Sequence, residues 1–406
     1  MPTGTALPTH ERKRPVDDVL FDIRSHPARQ QPDWGQADTL RRTAGELAAR
    51  PPLVEAADLW TLRSLLARVV DGEAQVVQSG DCAEDPAECT KGYIARKVGL
   101  LDLLAGAMKL AAHRPVVRVG RIAGQFAKPR SAPTELLAGA ELPVFRGHMV
   151  NSPDPDPVSR RPDPQRLLVG YQAASEAIGH LGWREGGGGR PAIDPRVWTS
   201  HEALLLDYEL PMLRRDSLGR LWLASTHWPW IGNRTNQIDG AHVALLASVI
   251  NPVACKVGPE MDTGTLLALC ERLDPQREKG RLTLISRMGA HRVADRLPPL
   301  VAAVRAAGHP VVWLSDPMHG NTVTAPNGLK TRFLDTIERE IQDFQCAVRG
   351  GGGVIGGLHL ETTPDEVVEC VAHSVDIDQV GDKYTSFCDP RLNPWQAVAV
   401  ISAWQG

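Results

Sequence analysis

The stretch from residue 253 to residue 320 reads VACKVGPEMDTGTLLALCERLDPQREKGRLTLISRMGAHRVADRLPPLVAAVRAAGHPVVWLSDPMHG. It holds three short, apolar, β-branched runs, Val253–Val257, Leu282–Ser286 and Val311–Leu314. Between them lie two segments with helical spacing, Leu266–Leu273 and Leu297–Ala307. Short buried strands alternating with helices are the mark of a parallel sheet with helical crossovers. Each run also leads into chemistry. Lys256 lies inside the first, Arg287 follows the second, and Asp316 and His319 follow the third.

The pattern continues in both directions. Further runs stand at Gln75–Ser79, Val116–Gly120, Val197–Ser200, Leu221–Ser225 and Val354–Leu360, which makes eight. Ile94, Val98, Leu101, Leu104 and Met108 keep one helical face, and Ala241–Ile250 and Thr331–Ala347 also read as helices. Thr363, Pro364 and Glu366 supply an N-cap, an N1 proline and a capping-box acid, which predicts a helix at Val367–Ala372. Eight such units predict an α/β fold, a (β/α)8 TIM barrel with a short N-terminal extension. The rival is a doubly wound open sheet, but no G-x-G-x-x-G follows the first run. Residues 1–50 read as an N-terminal arm and helices, with one helical stretch around Val16–Ser25, and residues 51–406 as the catalytic barrel. Asn151–Gln165 and the glycine-rich Glu185–Arg190 read as surface loops.

Composition narrows the function. The chain has 45 Lys and Arg against 48 Asp and Glu, a net charge of −3, so no polyanion-binding surface and no nucleic-acid partner are expected. Apolar stretches such as Ala244–Ile250 are far short of the ~20 residues of a membrane span, so no membrane partner is expected. The N-terminus MPTGTALPTHERKRP has no apolar signal core, and seven scattered cysteines do not make a disulfide framework; a cytoplasmic protein is expected.

In a barrel, catalytic groups stand just after the strands. The polar residues here do so. Cys82 follows the first run; Arg121, Lys128, Arg130 and Ser131 follow the second; His201 and Glu202 follow the third. Thr226, His227 and Trp228, then Arg234, follow the fourth; His359 and Glu361 lie in or just after the eighth; Asp389 comes later in CDPR. Six cations, Arg121, Lys128, Arg130, Arg234, Lys256 and Arg287, would converge on one mouth of a slightly acidic protein. Buried cations need counter-charges, which a ligand with phosphate and carboxylate groups supplies. Taken singly, any of them is as well explained by an ordinary ion pair. Cys82, His319, Glu361 and Asp389 form a mixed donor set that suits Mn2+, Co2+, Fe2+ or Zn2+ better than Mg2+ or Ca2+. Taken singly, Cys82 is a buried small hydrophobe and His319 a turn residue.

The motifs QSGDCAE, RIAGQFAKPRS, WTSHEALLLDYE, STHWPWIG, NPVACKVGPE, LISRMG, WLSDPMHGNT, GGLHLETTP and CDPRLNPWQA resemble, in order and content, class II 3-deoxy-D-arabino-heptulosonate 7-phosphate (DAHP) synthases. The resemblance runs from about residue 75 to the C-terminus and is greatest to the short form of phenazine-type secondary-metabolite clusters. It implies a metal-dependent transferase that condenses phosphoenolpyruvate with erythrose 4-phosphate and releases phosphate. By motif, Cys82, His319, Glu361 and Asp389 resemble the ligands of a divalent metal, Mn2+, Co2+ or Zn2+. Arg121, Lys128, Arg234, Lys256 and Arg287 resemble the phosphoenolpyruvate contacts, and Arg130 and Ser131 those to the aldose phosphate. Glu202 resembles the acid that holds the attacking water; with Lys128, Lys256 and His319 it completes the implied catalytic set. A homo-oligomer, a dimer, is the expected assembly.

The chain departs from that family at Asn233 and Asn236, where an acid and an arginine are expected around Arg234. It is also short before residue 75 and between the second and third strands, where family members carry sensing elements. Two other readings stay open: a paralogue using another aldose phosphate, such as an aminated tetrose, and a degenerate, non-catalytic barrel.

Overall fold

Eight parallel strands carry the fold. In the computed structural model, which describes residues 16–137, 139–183 and 196–406, they are β1 Gln75–Gly80, β2 Val116–Arg121, β3 Trp198–Thr199, β4 Trp230–Ile231, β5 Val253–Val257, β6 Leu282–Ser286, β7 Val312–Ser315 and β8 Ile355–Glu361. Their spatial order is β3-β2-β1-β8-β7-β6-β5-β4, with every neighbouring pair parallel. A parallel bridge between Glu202 and Trp230 joins the two ends. Beside it Trp230 N donates to His201 O and Ala203 N to Trp230 O, so the sheet returns on itself. The strands are buried almost throughout, which is why they read as continuous apolar runs rather than as alternating ones.

Ten helices of eight or more residues surround or precede the strands among the described residues: α1 Val16–Ser25, α2 Ala37–Ala49, α3 Ala56–Val70, α4 Lys91–Ala112, α5 Arg166–His180, α6 Ala241–Ser248, α7 Thr263–Leu273, α8 Val293–Ala306, α9 Leu334–Gly350 and α10 Pro394–Ile401. Leu62, Leu66 and Val69 of α3 share one apolar cluster with Val76, Val119, Ala254, Ile285 and Leu314 of the strands. That helix therefore plugs the end of the barrel from which β1 starts and leaves the other end open for chemistry. Two hairpins, Thr134–Leu137 with Ala140–Pro143 and Val323–Thr324 with Lys330–Thr331, stand on the open rim.

Two sequence expectations are corrected. The fourth barrel strand is Trp230–Ile231, not Leu221–Ser225. Leu221–Leu223 pairs antiparallel with Leu213–Arg215 across a turn that Asp216 closes, its Oδ1 accepting from Leu218 N and Arg220 N. The true strand has two residues, too few for a periodic signal. Nor is there a helix at Val367–Ala372. Val368 N donates to Lys383 O and Val371 N to Arg332 O, so this backbone is engaged at long range and cannot close helical turns. The loop expected at Asn151–Gln165 is irregular as read, whereas Glu185–Arg190 and the first 15 residues lie outside the described residues.

Candidate active site

The open end of the barrel holds a cavity of about 620 Å3. Arg121, Lys128, Arg130, Ser131, Glu202, Arg234, Lys256, Arg287, His319 and Asp389 all line it. Cys82 and Glu361 lie buried beneath. The structure thus brings together the six cations, Ser131, Glu202 and the four proposed metal donors at one place. His201, His227 and His359 are not among the lining residues. His201 bonds Glu209 (2.8 Å), and His227 packs against Trp183 and Trp198 in the core.

The barrel interior fixes the cations. Gln78 Oε1 takes the Nδ1–H of His359 at 2.7 Å, which leaves Nε2 to accept from Arg121 at 2.8 Å. Arg121 also donates to Glu361 Oε1 (3.0 Å) and lies over the Trp230 ring. Burial and the cations Lys256 and Arg121 hold the His359 imidazole neutral, well below its usual range. Lys256 Nζ is 2.8 Å from Asp316 Oδ2. The loop after β2 is shaped by Glu84, whose carboxylate accepts from the backbone N–H groups of Ala123, Gly124 and Gln125. Glu202 is different: its Oε1 is buried and has no hydrogen-bond partner among the described residues. Burial raises its pKa against the pull of Lys256 and Lys128. A Cβ on Gly232 would lie 2.0 Å from that oxygen, so a glycine is needed there for the acid to reach the cavity.

Cys82, Glu361 and Asp389 offer donor atoms within 4.8 Å of one another. Lys128 Nζ stands among them, 2.6 Å from Cys82 Sγ, 3.3 Å from Glu361 Oε1 and 2.9 Å from Asp389 Oδ2. Burial alone would lower this lysine, but Asp389, Cys82 and Glu361 together hold it well above its usual range. An ammonium drawn to this point shows that the donor set suits a cation. His319 stands beside this cluster, next to Glu361, and is not one of the three residues whose donor atoms all lie within 4.8 Å of one another. Its Nδ1 faces Asp316 at 2.9 Å, which leaves Nε2 toward the cluster, 3.1 Å from Glu361 Oε1. A carboxylate behind a histidine is the usual support of a metal ligand. The clustered donors are one thiol and two carboxylates, with the His319 imidazole adjoining, a mixture that fits a divalent transition metal. Cys388, next to Asp389, is a free thiol whose Sγ accepts from Arg130 at 3.4 Å.

Several supporting residues escaped the sequence reading. Arg332 is buried and pairs with Glu361 Oε2 at 2.9 Å. Arg391 spans Asp81 (2.7 Å) and Glu369 (2.8 Å), and Lys97 reaches Asp81 at 2.6 Å, which ties the loops of Cys82 and Asp389 together. The only signal was position: Asp81 adjoins Cys82, and Arg391 stands two residues after Asp389.

The chain is similar to known proteins. The Class-II DAHP synthetase family matches residues 20–190 and 190–403. The chain belongs to that family. It is 56% identical to the Pseudomonas fluorescens protein named "Probable phospho-2-dehydro-3-deoxyheptonate aldolase", over 96% of this chain and 98% of that one. It is 37% identical to "Phospho-2-dehydro-3-deoxyheptonate aldolase AroG" of Mycolicibacterium smegmatis, over 96% and 93%. A solved phospho-2-dehydro-3-deoxyheptonate aldolase from Francisella tularensis SCHU S4 shares the fold, with a TM-score of 0.51 at 14% identity and coverage of 99% and 100%. The enzyme is thus a DAHP synthase, and class II DAHP synthases are metal-dependent. Among the described residues of this synthase, no helix is long and apolar enough to cross a membrane.

Proposed function

We propose that this DAHP synthase holds one Mn2+, Co2+ or Zn2+ ion on Cys82, His319, Glu361 and Asp389. Arg121, Lys128, Arg234, Lys256 and Arg287 bind phosphoenolpyruvate, and Arg130 and Ser131 take the phosphate of erythrose 4-phosphate. The observation that carries this reading is the one cavity that all the cations line, with a cation-seeking donor cluster at its floor. When bound, the metal supplies a Lewis acid for the aldehyde oxygen.

The chain's own residues do the rest. The cations offset the charges of two phosphates and a carboxylate that would otherwise repel each other. They orient carbon 3 of the enolpyruvate toward the aldehyde carbon. Glu202, with one unpartnered oxygen, holds the water that adds to carbon 2 and takes its proton; phosphate then leaves by C–O cleavage.

The test is exhaustive chelation followed by addition of Mn2+, Co2+ or Zn2+, with phosphate release as the readout. Turnover should vanish and return. His319→Ala should lose metal by elemental analysis while its melting temperature stays close to the parent's. Full activity without metal would overturn the reading.

We also infer a short form of the secondary-metabolite type. The alignment to the Mycolicibacterium protein runs over 440 positions, more than the 406 residues here, so that relative carries segments this chain lacks. A homodimer and a cytoplasmic setting are part of this proposal; the seven free thiols fit a reducing compartment. A second reading, an aminated tetrose phosphate as acceptor, rests on Asn233, which lines the cavity next to Arg234.

A further inference from the structure

Behind the cavity the loops after β6 and β7 are packed back to back. A Cβ on Gly320 would fall 2.4 Å from Gly289 N, and Gly289 itself has φ +84. Arg287 NH2 donates across to His319 O at 2.7 Å. Under this junction lies Glu340 of α9, 1% exposed, with no ion pair among the described residues. Its Oε1 accepts from Gly289 N at 2.9 Å and its Oε2 from Asn321 Nδ2 at 2.5 Å. Asn321 in turn accepts from Ala290 N (3.0 Å) and donates to Pro317 O (2.8 Å). Burial pushes the Glu340 carboxyl up to about 8, against the bonds from Asn321 and Gly289.

A carboxyl buried without a cation is costly. An apolar side chain would fill the same space under α9 at less cost. What it would not provide is two acceptors, one for each loop.

We propose that Glu340 is a positioning residue that fixes the Arg287 loop against the His319 loop, and so sets the distance between an anion contact and a metal ligand without touching either substrate. The proposal rests on the assignments of Arg287 to phosphoenolpyruvate and His319 to the metal. Arg287 and His319 follow neighbouring strands paired at Ser286 and Ser315, and one bond from Arg287 NH2 to His319 O crosses between their loops; beyond the strand ends the loops need further support to hold the accuracy that binding demands. Glu340 reaches both loops from one rigid helix.

The experiment measures Mn2+ affinity by calorimetry, with the metal alone, and KM for phosphoenolpyruvate in Glu340→Ala and Glu340→Gln. His319→Ala and Arg287→Ala serve as controls. Glu340→Ala should weaken both quantities about tenfold, the size expected for one or two lost buried bonds. Glu340→Gln keeps the shape and one acceptor oxygen, so it should recover most of both. A merely structural role would lower the melting temperature and the active fraction, hence kcat, but leave KM and Mn2+ affinity at parental values; that result overturns the proposal. If Glu340→Ala does not fold, Asn321→Ala severs one arm alone and should weaken Mn2+ affinity, and parental affinity in that variant overturns the proposal equally. Parental behaviour of His319→Ala and Arg287→Ala would instead refute the site assignments, and the positioning role with them.

Discussion

Lys256→Met is the sharpest perturbation of the anion site. The ammonium lies at the end of β5, 6% exposed, 2.8 Å from Asp316 Oδ2 and 3.4 Å from His319 Nδ1, and it faces the cavity. One charge-assisted bond to a multiply charged anion is worth ~1.5–3 kcal/mol. At ~1.36 kcal/mol per decade, that predicts a fall in kcat/KM for phosphoenolpyruvate of about ten- to hundredfold. Stability changes as well. Breaking a buried pair by removing one partner typically costs ~3–5 kcal/mol. Asp316, however, keeps His319 Nδ1 and the backbone N–H groups of Met318 (3.2 Å) and His319 (3.3 Å), so the loss should fall at the low end of that range or below it. The assay is phosphate release against phosphoenolpyruvate concentration at saturating erythrose 4-phosphate, with a thermal melt beside it. The double variant Lys256→Met/Asp316→Asn separates the two effects: it should regain stability and stay impaired. A kcat/KM within about threefold of the parent in folded Lys256→Met would refute the placement of phosphoenolpyruvate against this lysine.

Other expectations concern the rim and the second acid. Asn233→Glu should alter the ratio of turnover with erythrose 4-phosphate and with an aminated analogue several-fold, because Asn233 lines the cavity; an unchanged ratio makes it drift. Asn236 does not line the cavity; its Nδ2 donates to Lys256 O at 3.1 Å. Asn236→Ala should therefore raise KM for phosphoenolpyruvate about fivefold, the effect of ~1 kcal/mol, and leave the acceptor ratio alone. Phenylalanine, tyrosine and tryptophan at roughly millimolar levels should inhibit less than about twofold, since the segments that would hold a second site are short; strong inhibition in a rate assay refutes this. Glu340 is raised from 4.5 to about 8 on folding, so it takes up a proton between those values. Its contribution to stability is therefore full below about pH 4.5 and lost as pH rises through about 8. Glu340→Gln does not titrate, so its melting temperature relative to the parent should rise between about pH 5 and pH 9; a difference that stays flat would show that Glu340 does not titrate in that window.

The eight-fold alternation was legible because most of the strands are long and buried on both faces, and because helical spacing survives in α4, α7 and α9. It failed at β4 because two residues leave no pattern, while the longer apolar Leu221–Leu223 belongs to a hairpin. The Thr363–Glu366 capping signal was real as local chemistry, but long-range backbone bonds from Val368 and Val371 outweighed it. At the cavity, the side chains that follow strands and line it could be picked out from position alone. Their supports could not. Glu340 reads as one acid among several on an amphipathic helix, and Arg332 as a routine cation after a turn, because what makes each matter is a partner far away in sequence.

The barrel is not bonded evenly around its circumference. β1 shares six register pairs with β2 and five with β8, whereas β3 meets β2 at two, β4 meets β5 at two, and β3 meets β4 through a single bridge. Cys82 and Glu361 issue from the well-bonded side, Glu202 and Arg234 from the thin seam. The molecule therefore has a side rich in backbone pairing and a side held by few pairs. The proposed metal donors Cys82 and Glu361, which would tolerate little displacement, follow the strands with more backbone pairing. Glu202 and Arg234, proposed to hold the attacking water and phosphoenolpyruvate, follow the strands with the fewest register pairs.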